Sequence, residues 1–73
     1  MIIRYDLSVD AAYNYLVPQT TGVHAAKTVS VDPIEAGAEI NLDFDDAGRL
    51  VGIEVLRASR HLPEALINDA EIL

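Results

Sequence analysis

The stretch EINLDFDDAGRLVGIEVLRAS, residues 39–59, decides the fold. Two alternating apolar/polar runs flank Asp45-Asp46-Ala47-Gly48, the pattern of a β-hairpin. In Glu39 to Asp45, Ile40, Leu42 and Phe44 fall on one face and Glu39, Asn41, Asp43 and Asp45 on the other, because successive side chains of a strand point to opposite sides. Asp46-Ala47-Gly48 suits a short loop with Gly48 in the left-handed conformation. Arg49 to Leu56 runs back with Val51, Ile53 and Val55 toward the core, and Gly52 marks a bulge or a close approach.

Outward from the hairpin, Ile2 to Asp6 is β-branched and aromatic and reads as a first strand. Leu7 to Asp10 supplies a turn, and Ala11 to Leu16 returns as a second strand with Tyr13 and Tyr15 on one face. Ile3 and Tyr5 are expected to share that face. Val17 to Val23, with Pro18, Gly22 and no charge, reads as an exposed loop. His24 to Val31 resumes a strand pattern with weak contrast between its faces, which suits an edge strand guarded by Lys27. Asp32-Pro33 opens a loop that Gly37 closes. After Arg57 the pattern turns helical: one turn over Arg57 to Leu62, then Pro63 at the first position of a helix running to Ala70, with Ala65, Leu66, Ile67 and Ala70 on its apolar side. The expected fold is α+β, mostly β. It is a single domain over residues 1–73, a small antiparallel β-meander of about five strands with a short C-terminal helix.

Size and composition bear on function. A chain of 73 residues buries only about 60% of the surface its unfolded form exposes. Domains this small usually add disulfides, a metal or a partner subunit, and without cysteine the disulfide and thiolate routes are closed. Hydrophobic residues make up 51% of the chain and mean hydropathy is +0.20, so part of the apolar surface is expected to meet another chain, a homodimer above all. No apolar run reaches about 18 residues and no signal-peptide pattern opens the chain, which points to a cytoplasmic protein that does not enter membranes. The net charge of −7 repels a phosphate backbone. Arg57, Arg60 and His61 make too poor a cationic track for the chain alone to bind nucleic acid.

Candidate sites are few. Asp43, Asp45, Gly48 and Glu54 fall at positions 1, 3, 6 and 12 of a calcium-binding EF-hand loop. Ala47 stands where an oxygen ligand is wanted, and both flanks alternate as strands rather than helices. The favoured reading is an acidic, solvated hairpin face; a small-ligand or metal-binding module on Asp43 to Glu54 is the alternative. On that favoured reading Asp43→Asn is nearly neutral. His24 and His61 have no metal-ligand spacing. Ser8, Ser30 and Ser59 sit in no nucleophile elbow, and the four glycines form no phosphate loop. Neither an enzyme, a metal nor a cofactor is expected. The candidate interface residues are Tyr5, Tyr13 and Tyr15 from the first hairpin and Leu62, Leu66 and Ile67 from the C-terminal segment, since tyrosine is enriched at hot spots.

These residues resemble domain-of-unknown-function family 2283, a group of small prokaryotic proteins. The resemblance rests on Tyr5-Asp6, on Asp10-Ala11-Ala12-Tyr13, on Ile40-Asn41-Leu42-Asp43, and on the run Gly48-Arg49-Leu50-Val51-Gly52-Ile53-Glu54-Val55-Leu56-Arg57-Ala58-Ser59. The uncharged loop at Val17 to Val23 and Arg57 depart from the family pattern. The resemblance implies a compact β-meander with a short helix and no established activity. It also suggests an antitoxin-type role as an acidic partner of a small basic toxin, which electrostatic complementarity would favour. The leading expectation is a non-enzymatic, homo-oligomeric protein-interaction domain.

Overall fold

A computed structural model describes residues 2–18 and 22–72. Among them, β1 (Ile2–Asp6), β2 (Ala11–Tyr15), β3 (Lys27–Ser30), β4 (Ile40–Phe44), β5 (Leu50–Leu56) and β6 (Glu71–Ile72) form one sheet in the order β3-β4-β5-β2-β1-β6. The α+β, mostly-β class holds. The meander does not. β2 pairs with β5 rather than β3, and β6 lies parallel to β1 on the far edge. The long connection after β2 lets the chain leave the growing sheet, so β3 pairs instead with β4. The part of the Val17 to Val23 loop at residues 19–21 lies outside the described residues.

Three short helices complete the fold. Asp32 caps α1 (Pro33–Ala36) by accepting from the Ile34 N–H at 3.0 Å, and Gly37 ends it at φ 69°, so one helical turn stands where a loop is expected. α2 (Ala58–His61) is the helical turn expected over Arg57 to Leu62, and α3 (Glu64–Asp69) follows as the C-terminal helix, with Pro63 standing extended just before it rather than at its first position. No helix of the described residues is long and apolar enough to cross a membrane.

The strand pairing sorts the side chains into two faces. On one face Tyr5, Ala12, Val55 and Ile40 stand side by side in one row, and Ile3, Asn14, Ile53, Leu42 and Val29 in the next. The helices cover the first row: Tyr5 (5% exposed), Ala12, Val55 and Ala58 (0%) form the buried cluster, against which Leu62, Ile67 and Ala70 pack. The core is thin. Among the described residues no large side chain is fully buried, and the whole molecule measures only 19 Å in its shortest dimension.

Candidate functional site

The face opposite the helices is polar and internally bonded. Ser30 Oγ donates to Asn41 Oδ1 at 2.9 Å, and Asn41 Nδ2 donates to Glu54 Oε1 at 2.9 Å. In the adjacent row Thr28 Oγ donates to Asp43 Oδ1 at 2.6 Å, while the Tyr13 hydroxyl donates to Asp43 Oδ2. Tyr13 crosses β5 at Gly52, the position without a side chain. A Cβ there would lie 2.8 Å from Tyr13 Cε1. Burial first, and the Asp43 carboxylate second, raise the Tyr13 hydroxyl pKa well above its ordinary value of 10.0. The Tyr13 and Tyr15 rings lie 4.6 Å apart, and the Arg4 guanidinium sits 5.5 Å from the Tyr15 ring centre while its Nε reaches Glu71 at 3.3 Å.

A second cluster joins the β1–β2 turn to α2. Asp10, at φ 53°, accepts from Tyr5 OH at 2.5 Å, from the Ser59 N–H at 3.0 Å and from Ser59 Oγ at 2.6 Å, and its carbonyl accepts from the Ala58 N–H at 2.9 Å. Asp10 thereby caps α2 from a distant turn, which its neighbour Arg57 does not do with its own side chain. The Ser59 hydroxyl above all, then Tyr5, holds the Asp10 carboxyl below the ordinary carboxylate range. Three-centred though it is, the cluster contains no imidazole and works as a clasp.

The acidic hairpin shows how its carboxylates are used. Asp45 Oδ1 accepts from the Ala47 and Arg49 N–H groups at 3.0 and 2.8 Å, folding the turn around itself, and Gly48 takes φ 80° as expected. The Arg49 N–H is the main cause of a lowered Asp45 pKa. Asp43 and Glu54 belong to the polar ladder, and among the described residues no three His, Asp or Glu groups converge on one point. Asp43 accepts from two hydroxyls on two other strands, contacts that the near-neutral Asp43→Asn expectation did not include.

The candidate interface residues separate. Tyr5 does not share a face with Tyr13 and Tyr15: Arg4 pairs with Tyr13 and Tyr5 with Ala12, so Tyr5 is buried under the helices and the other two tyrosines stand on the polar face. Leu62 and Ile67 pack on the core, while Leu66, 39% exposed, overhangs a groove of about 180 Å³ beside Ile3, Asn14 and Ile53. Alternation places Leu42 and Ile53 on the inward face, where they pair, but it does not tell how far a short helix reaches across a sheet.

A family model described as protein of unknown function (DUF2283) matches residues 2–59. The chain belongs to that family. The DUF2283 segment contains the whole Tyr5–Asp10–Ser59 clasp and the polar ladder from Thr28 to Glu54, and it ends before α3 and β6. Leu62, Leu66 and Ile67 thus lie outside it. No curated protein and no solved structure matches the chain.

Proposed function

We propose that this DUF2283 protein is a non-enzymatic interaction domain that works as a homo-oligomer, a dimer first of all. The observation that carries the reading is surface area. The chain exposes 5027 Å², whereas a folded monomer of 7.9 kDa exposes about 4,400 Å². The excess of roughly 600 Å² per chain amounts to about 1,200 Å² over two copies, which reaches the size of a specific interface. Its apolar character supports the same reading, since Ile3, Leu42, Phe44 and Ile53 are only half-buried on strands whose alternation fits them for a core. The carboxylates that hydrolytic or metal chemistry would draw on are engaged in turns, clasp and ladder.

Light scattering over a dilution series tests this. A mass near twice 7.9 kDa at micromolar concentration is expected, and the mass of one chain throughout would overturn it. A second reading, an acidic binder of a small basic protein, is favoured by the net charge of −7 and by Asp43, Glu54 and Glu71 on the polar face.

A further inference from the structure

We infer that the groove between the sheet and the Leu62–Leu66 segment binds one small, uncharged, mostly apolar molecule, about the size of a single ring and carrying one hydroxyl or amide that pairs with the Asn14 side chain. The groove holds about 180 Å³, with Ile3, Ile53 and Val55 of the sheet on one side and Leu62 and Leu66 on the other. Among the described residues Asn14 is the one polar side chain that lines it. Asn14 stands in register between Ile3 of β1 and Ile53 of β5, and its Oδ1 is buried with no hydrogen-bond partner among the described residues. Buried polar atoms in folded proteins are bonded with few exceptions. An apolar residue at this position would pack against both isoleucines, so the asparagine weakens the fold and gains only when something bonds it.

The lining selects the occupant. Water is a poor one, because it needs about two to four polar partners and the groove offers a single amide. An ion is poorer, since no charged side chain lines the groove to offset its desolvation, and the net charge of −7 repels anions. Pockets for nucleotide- or cofactor-sized molecules run to about 300–1,000 Å³, and this groove is smaller. A cavity of about 150 Å³ walled by aliphatic side chains takes one benzene ring. The carboxamide carries an acceptor at one end and two donors at the other, and rotation about its terminal torsion presents either end to the groove, so a ligand hydroxyl serves as donor or as acceptor. The site lies within one chain and does not rest on self-association.

The test titrates phenol and toluene, which differ by a hydroxyl in place of a methyl, into the wild-type chain with methyl-labelled Leu, Ile and Val. Phenol is expected to give saturable shifts at about millimolar concentration, confined to the methyls of Ile3, Ile53, Val55, Leu62 and Leu66. The methyls of Leu7 and Val9, each 66% exposed, are expected not to move. Shifts that never saturate, or that reach Leu7 and Val9 equally, would overturn the site. In Asn14→Ala, phenol binding is expected to weaken about tenfold relative to toluene, because the hydroxyl loses its partner while both rings keep their space. An unchanged phenol-to-toluene ratio would overturn the inference. Should Asn14→Ala fail to fold, Asn14→Leu, which keeps the row packed, supplies the same ratio.

Discussion

The hydroxyl end of Tyr13 occupies the space that a side chain at Gly52 would need, and it donates to Asp43 one strand further on. Three strands are tied together at that crossing, because Tyr13 belongs to β2, Gly52 to β5 and Asp43 to β4. Gly52 is therefore required by its neighbour and not by its own backbone, which needs no positive φ. The bulge between Asp43 and Phe44 sits beside it and leaves Val51 as the extra residue.

Gly52→Ala should destabilise the domain by about 1–3 kcal/mol, the usual range for forcing atoms into a packed site. The penalty should shrink in a Tyr13→Ala background, where the space is open. A double-mutant cycle by urea unfolding measures this coupling. Equal costs in both backgrounds would show that the ring does not define the site.

Asp43→Asn should cost about 1 kcal/mol, the scale of a hydrogen bond to a charged group that keeps some access to water. One amide cannot accept from both Tyr13 and Thr28 through two carboxylate oxygens as Asp43 does. Chemical denaturation checks the value. Calcium added at millimolar concentration should leave the melting temperature unchanged, since the Asp43, Asp45 and Glu54 carboxylates are already engaged.

Stability should fall at both ends of the pH scale. The folded-state pKa values of Asp6, Asp10 and Asp45 are all lowered from 3.8, Asp6 chiefly by the Ser8 hydroxyl. Groups of this kind stabilise the fold fully above the unfolded value and lose that contribution as pH drops through the folded one, so an acid limb should begin near pH 4. Tyr13 behaves oppositely: its raised pKa gives a contribution that is complete below pH 10 and lost as pH rises beyond it. Thermal melts of Ser59→Ala, which removes the largest cause of the Asp10 shift, should show a weakened acid limb, and Tyr13→Phe a weakened alkaline one.

Asn14→Leu should stabilise the chain by about 1 kcal/mol. Its Oδ1 is buried with no hydrogen-bond partner among the described residues, on an otherwise apolar row between Ile3 and Ile53. An unsatisfied buried acceptor costs about 1–3 kcal/mol, part of which the leucine recovers. Denaturant unfolding at fixed protein concentration measures the gain.

The elements with strong local signals were legible in the sequence. Asp45 to Gly48 announced its own turn, and the alternation of Ile40, Leu42 and Phe44 set β4 against β5. Local pattern failed where long-range pairing decides. The face of Tyr5 depends on the register that the turn over residues 7–10 imposes, in which odd-numbered positions of β1 meet even-numbered positions of β2. β6 is two residues long and exists through its pairing with β1. The clasp was invisible for the same reason: Asp10 and Ser59 are 49 residues apart, and nothing in either neighbourhood announces a helix capped from another turn.

Small-angle X-ray scattering on the wild-type chain tests the central claim most directly. One copy measures 32 × 30 × 19 Å. The account predicts the doubled forward scattering of a two-chain particle at micromolar concentration, falling on dilution. The forward scattering and 32 Å longest dimension of a single chain at every concentration would contradict it.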